Sequence, residues 1–267
     1  MIKKILITGA SGLCGTVLFE GLSKLNYKIK LCDIKTTPSP AAKAQNIKIS
    51  KKIKKVDLRK MNEVLKITKN VDAVLHFGGI PRHKPQEDKY KDIIDHNIIG
   101  TYNVFESCRM NKVKKIIFAS SAHAVGYHNR KKKLNHMHLL RPDSHYAVSK
   151  CFGESLASLY ADKYNIKSMS IRIGSALPKA SDKRFLSTWI SFRDLVQLVS
   201  IGLKNKRSWW DNSHAYKLVY KPKDNAEKFL KDKLTFNEKN NKVALSLHGG
   251  VFASDGFNGN LSEILKN

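Results

Sequence analysis

Apolar and polar positions along this chain follow two rhythms that take turns. Residues 2–8 are a short, mainly apolar run, the mark of a strand buried on both faces of a parallel sheet. Directly after it, Leu13, Val17, Leu18, Leu22 and Leu25 recur at helical spacing and predict a helix over 12–25. Residues 28–33 read as a second strand, ending at Asp33. The stretch 35–46 carries Pro38 and Pro40 and reads as loop. A third strand ends near Val56, a helix covers 60–68, and a strand covers 71–77. The segment 78–90 is polar and punctuated by Gly and Pro. A long helix over 91–110, a strand over 114–120, a helix over 144–164 and a strand over 167–173 follow. Beyond residue 174 the pattern is less regular, with one further helix expected from Asp224.

Strands that alternate with helices predict an α/β fold, a doubly wound parallel sheet with helices on both faces. Ligands bind such sheets beyond the carboxyl ends of the strands. With 267 residues, 42% of them hydrophobic, the chain can bury the core of a single domain. The expected division is a dinucleotide-binding core over 1–173 and a mainly substrate-binding region over 174–267. No apolar run has the length of a membrane span, and no secretory signal is expected after Met1. Cys14, Cys32, Cys108 and Cys151 are scattered, which suggests reduced thiols in a cytoplasmic protein and argues against a disulfide framework or a zinc site.

The formal net charge of +27 would attract nucleic acid or an anionic substrate. However, the excess is mostly lysine spread along the chain. The runs Lys51–Lys55 and Arg130–Lys133 lack interleaved aromatic residues for base stacking, which argues against nucleic acid. His136 and His138 have no Cys, Asp or Glu beside them to complete a metal site, so no metal is expected. Trp209 and Trp210 read as packing or interface residues.

Candidate chemistry sits at the strand ends. Gly9, Gly12 and Gly15 fall in the first strand-to-helix turn. Glycine there permits the tight turn, close approach of backbone to a pyrophosphate, and helix–strand packing. The helix N-terminus adds unpaired N–H groups and partial positive charge. Asp33 follows about twenty residues on, where a carboxylate can bind both ribose hydroxyls of NAD and repel a 2′-phosphate, or simply form a turn. Asp57, before Leu58, borders an adenine or caps a helix. Tyr146 and Lys150 are four residues apart on a predicted helix and so share a face. An ammonium beside a phenol favours the phenolate, making Tyr146 a candidate general base. Ser121, just after the strand 114–120, can hydrogen-bond the reacting oxygen. The bland alternative is an ordinary amphipathic helix with an exposed lysine.

With these motifs the chain resembles the extended short-chain dehydrogenase/reductase superfamily, the NAD-dependent epimerase/dehydratase group of Rossmann-type proteins. More specific strings resemble the uronate dehydrogenases. They include Leu75–Ile80, Asn97–Gly100, Phe118–Ser121, His145–Glu154, Arg172–Ser175, Leu186–Trp189, Trp209–His214 and Lys221–Glu227. That family oxidises C1 of galacturonate or glucuronate with NAD and gives an aldarolactone. The resemblance implies that Tyr146 takes the C1 hydroxyl proton, that Ser121 and His123 hold the sugar near C1, that Ser175 lies near the substrate, and that Arg184 binds the sugar carboxylate. The expected cofactor site comprises Gly9, Gly12, Leu13, Cys14, Gly15, Asp33, Ile34, Asp57, Leu58, Phe77, Gly78, Gly79, Asn97, Tyr146, Lys150 and Ile173. A homodimer through the helices 91–110 and 144–164 is implied as well.

Three departures from the family pattern stand out. Ala122 replaces an amide residue, Pro81 replaces a serine, and the stretch between Leu203 and Trp209 is shorter by about one strand and its turns. Sites that lose such polar groups lose selectivity. Rival readings are a dehydrogenase of another aldose or sugar derivative, a nucleotide-sugar epimerase or dehydratase, and an NAD-binding regulator without catalysis.

Overall fold

The structure, a computed structural model, describes residues 2–81, 90–129, 134, 138–180 and 188–204. Six parallel strands form the main sheet: β1 (Lys4–Thr8), β2 (Lys28–Asp33), β3 (Lys54–Lys55), β4 (Ala73–His76), β5 (Lys115–Ser121) and β6 (Lys167–Ile173). Their order is β3-β2-β1-β4-β5-β6, so the chain starts in the middle, winds outward one way, returns, and winds outward the other way. The reversal lies between β1 and β4, which places a crevice at their carboxyl ends. This is the doubly wound architecture that the sequence predicts.

The two-residue period of the strands splits the core into two layers. Ile5 and Ile7 of β1 face α1 (Leu13–Ser23) and α7 (Phe192–Lys204), together with Leu18, Leu22, Leu195, Leu198 and Val199. Leu6, between them, faces the opposite layer with Val74, Ile116 and Phe118. That layer is covered by α3 (Met61–Thr68), α5 (Gly100–Met110) and α6 (His145–Tyr164), through Val64, Phe105, Leu156 and Tyr160 among others. Glycine brings α6 unusually near the sheet: a Cβ at Gly153 would collide with the ring of Phe118.

Several expectations need correction. The segment 35–46 is not wholly loop, because Pro40–Lys43 form the short helix α2. Pro40 opens it, where no N–H is needed, and Ser39 caps it by accepting the Ala42 N–H at 3.3 Å. The helix over 91–110 is present as α4 (Tyr90–Ile93), a π-helical stretch Ile94–Ile99 and α5. Ser121 is the last residue of β5 rather than the first after it. After residue 174 the chain adds a small parallel pair, β7 (Ser175–Ala176) with β8 (Trp189–Ile190), and then α7. The expected helix from Asp224, Trp209 and Trp210, His136 and the shortened stretch after Lys204 lie outside the described residues.

Candidate active site

A cleft of about 920 Å³ opens over the carboxyl ends of the strands. Its floor at one end is the turn between β1 and α1. Gly9 has φ +70°, and a Cβ on it would collide with the Phe77 carbonyl, so only glycine lets this turn lie against the end of β4. Gly12 is the N-cap of α1 and has no side chain to accept the first N–H groups of the helix. Leu13, Cys14 and Gly15, which open that helix, line the cleft. An uncapped N-terminus with no acidic residue in its first turn is what a pyrophosphate would fit.

Asp33 lines the cleft at the end of β2. Its Oδ2 accepts the Ser11 N–H at 3.0 Å and the Ser11 hydroxyl at 2.7 Å, and its Oδ1 accepts the Lys35 N–H at 3.3 Å. These bonds hold the carboxylate in one orientation at the edge of the cleft. Ser39 ties α2 to the same turn, its N–H bonded to the Ser11 carbonyl at 2.7 Å. Ser11, Lys35 and Ser39 are site residues that motif reading does not pick out. Asp57, Leu58 and Ile34 also line this end. Asp57 does not cap α3, whose N-cap is Lys60. Instead it takes a forked pair of bonds from Arg59, at 2.9 Å from Nε and 2.7 Å from Nη2, which holds its carboxyl below the usual range.

Under the middle of the cleft, a buried chain of bonds fixes the end of β4. The Gly78 N–H donates to Thr8 Oγ1 at 3.2 Å, Thr8 Oγ1 meets His76 Nδ1 at 2.8 Å, and His76 Nε2 meets Thr101 Oγ1 at 3.0 Å. Full burial, with the Lys150 charge nearby, pulls the His76 imidazole down to about 3, so it is neutral. Phe77, Gly78 and Gly79 line the cleft above it. Asn97 does not line it: the residue is buried beneath, where Nδ2 donates to the Ile80 carbonyl at 3.0 Å and Ser149 Oγ at 3.2 Å, while Oδ1 accepts the Ile80 N–H at 2.7 Å.

At the other end Ser121, His123, Tyr146, Lys150 and Ile173 share the wall. Ser144 caps α6 by accepting the Ala147 N–H at 3.2 Å, and the helix sets Tyr146 and Lys150 on one face. Lys150 is buried, and its Nζ lies 5.3 Å from the centroid of the Tyr146 ring and 5.2 Å from that of Phe118. No carboxylate forms a salt bridge with it among the described residues. Burial pulls the Lys150 ammonium down to about 8, and pushes the neighbouring Cys14 thiol up to about 11. Ser121 Oγ accepts the His123 N–H at 3.2 Å, which leaves its O–H to donate. His123 Nδ1 is held by Asp143 Oδ2 at 2.7 Å, and its ring stands edge-on to Tyr146, 6.4 Å between centroids.

Gly174 and Ala176 line the cleft on either side of Ser175, whose own N–H donates to the Thr188 carbonyl at 2.7 Å. Arg184 lies outside the described residues. Pro81 lines the cleft and Ala122 does not. Asp143, which holds His123, is a further site residue without a motif to announce it. The described residues hold no group of three or more metal-ligating side chains, and none of their helices is long and apolar enough to cross a membrane.

A doubly wound sheet with a glycine turn, a fixed carboxylate after β2 and a Tyr/Lys/Ser wall defines the class of dinucleotide-dependent enzymes of the short-chain dehydrogenase type. Comparison with known proteins narrows it. Residues 5–216 match the NAD dependent epimerase/dehydratase family. The chain is 35% identical over 269 residues to a uronate dehydrogenase of Pseudomonas syringae pv. tomato, covering 95% of this chain and 94% of that one. It is 39% identical over 241 residues to a uronate dehydrogenase of Pseudomonas putida, covering 85% and 86%. The solved structure of a mutant uronate dehydrogenase from Agrobacterium tumefaciens, complexed with NAD, superposes with a TM-score of 0.73 at 32% identity, covering 96% of this chain and 99% of that one. The chain belongs to the NAD-dependent epimerase/dehydratase family, on its uronate dehydrogenase branch.

Proposed function

We propose that this protein oxidises C1 of a uronate, galacturonate or glucuronate, to the aldarolactone with NAD. The observation that carries the reading is the convergence of Ser121, Tyr146 and Lys150 on one wall of a cleft whose far end is built from the glycine turn and Asp33. When bound, NAD supplies the hydride acceptor. Gly9, Gly12 and the first turn of α1 hold its pyrophosphate, and Asp33 holds the adenosine ribose and selects against a 2′-phosphate. Tyr146 takes the C1 hydroxyl proton as general base. Lys150 favours the phenolate, and the O–H of Ser121 keeps the reacting oxygen in place. His123, oriented by Asp143, contacts the sugar near C1, Ser175 borders the substrate, and Arg184 pairs the carboxylate with its guanidinium fork. Residues 1–173 act as the dinucleotide core and 174–267 mainly as the substrate region. The working form is a homodimer joined through α5 and α6.

The deciding experiment follows NADH formation with galacturonate, glucuronate, the matching neutral hexoses and their 6-phosphates. Turnover confined to uronates is expected. Tyr146→Phe should lower kcat on the order of 10²- to 10⁴-fold while NAD still binds. Equal turnover of neutral hexoses would remove the carboxylate from recognition and move the substrate elsewhere among the aldoses.

A further inference from the structure

We infer that Glu154 is a positioning residue for the catalytic helix, acting with Ser120 and Arg172. The inference rests on the proposed dehydrogenase chemistry for its consequence, and on three buried contacts for its geometry. Glu154 follows Lys150 by one turn of α6 and Tyr146 by two, and is 2% exposed. Its Oε1 accepts the Ser120 hydroxyl at 2.5 Å and the Arg172 Nε–H at 2.9 Å, and its Oε2 accepts Arg172 Nη2–H at 2.8 Å. Ser120 and Arg172 are register partners across β5 and β6. The next residues along those strands, Ser121 and Ile173, are paired in the same register and line the cleft. One carboxylate therefore ties three elements together: the strand end that presents Ser121, the strand end that presents Ile173, and the helix that presents Tyr146 and Lys150.

Stability alone is a poor reason for such a cluster. Removing two charges from water offsets most of their attraction, and well-packed apolar residues of similar volume often serve a fold equally well. The cluster also leaves Arg172 Nη1 buried with no hydrogen-bond partner. What the fork supplies that apolar packing does not is direction and register. The forked geometry resists sliding or rotation of α6 against the strand ends, motions that would move the Tyr146 phenol and the Lys150 ammonium relative to Ser121. Close passage at Gly153 fixes the distance between helix and sheet, and Glu154 fixes their alignment. Titratable groups near the Tyr146 ring include Lys150 on its own helix and His123, paired with Asp143, from beyond β5, so a misaligned α6 changes the surroundings of the phenol along with its reach.

The test uses the full-length protein and the double variant Glu154→Met/Arg172→Met, which removes both charges together. Three quantities are read: the thermal midpoint, kcat with KM for NAD and uronate, and the titration midpoint of Tyr146 in the NAD complex. The last is followed by NMR of ¹³C-labelled tyrosine and assigned by the signal lost in Tyr146→Phe. The expected result is a folded protein with near wild-type KM for NAD, a kcat lower on the order of 10- to 100-fold, and a Tyr146 midpoint raised by about one unit. Asp162→Asn, which removes a carboxylate from the exposed C-terminal end of the same helix, should leave kcat and the Tyr146 midpoint unchanged. A folded double variant with wild-type kcat and Tyr146 midpoint overturns the inference, as does a loss of stability and rate with an unmoved midpoint. If the double variant fails to fold, Ser120→Ala, which keeps the ion pair, is judged by the same two readouts. If the wild type oxidises no uronate, the substrate reading falls, while the Tyr146 midpoint still decides the role of Glu154.

Discussion

His76 shows how much of the site depends on a residue that never meets a ligand. It sits at the end of β4 with both ring nitrogens engaged by threonines, and so transmits the position of Thr8 and Thr101 to Gly78 on the cleft wall. Because burial pulls its folded value from 6.5 to about 3, the unfolded chain binds a proton that the native protein refuses across that interval. The stability due to neutral His76 is therefore complete above pH 6.5 and is lost progressively as the pH falls towards 3. On going from about pH 7.5 to about pH 5, this group removes about 2 kcal/mol from the folding free energy. His76→Gln keeps a polar side chain but does not titrate. Urea unfolding at the two pH values should show a fall in wild-type stability that exceeds the variant's by that amount. Equal falls would mean that His76 is protonated in the native state. Nothing in the sequence hints at this role: His76 lies inside an apolar run, and its partners Thr8 and Thr101 come from distant segments.

Legibility changes at the level of elements. β1, α1, β2, α3, β4, α5, β5, α6 and β6 stand close to where the sequence pattern puts them: β4 and β5 are short runs buried at every position, and α3 carries an apolar stripe at helical spacing. Two exceptions have local causes. Prolines disguise α2 as loop, yet Pro40 occupies the one helical position that tolerates it. α7 lies in a stretch that reads as irregular, although Leu195, Leu198, Val199 and Leu203 carry the period and Ser191 accepts the Asp194 N–H at 3.0 Å as a cap would. The π stretch Ile94–Ile99 has no sequence signature; within it Asn97 reaches Ile80 and Ser149 from beneath the cleft. Asn97 reads as a cofactor residue from its motif, while its bonds to Ile80 and Ser149 are a feature the sequence does not announce. The approach of α6 to β5 is an element-scale property that one glycine controls. Gly153→Val places branched carbon against the Phe118 ring, which is 1% exposed and has nowhere to go. The variant should lose about 1–3 kcal/mol of stability in urea titrations, with a falling kcat as α6 lifts. Unchanged stability would show that the helix can move without penalty.

At the scale of the molecule, the exposed apolar side chains among the described residues include a set on two adjacent helices. Ile99, Tyr102 and Met110 on α5 and its π-helical lead-in, with Val148, Leu159 and Tyr164 on α6, are all exposed, and the two helices pack side by side. These side chains lie on the two helices through which the proposed homodimer would join. Sedimentation should find a dimer, and Leu159→Glu should shift it to monomer at the same concentration. A wild-type monomer would reject the homodimer. At the opposite margin of the sheet lies β3, two residues long, both of them exposed lysines. An open strand edge is a template on which further chains can stack into fibrils. Among the described residues this edge strand presents Lys54 and Lys55, and a second copy aligned on it would set like charges against one another. With a formal charge of +27 behind it, that margin should keep concentrated solutions dispersed at low salt, a protection that should weaken as added ions shorten the range of the repulsion.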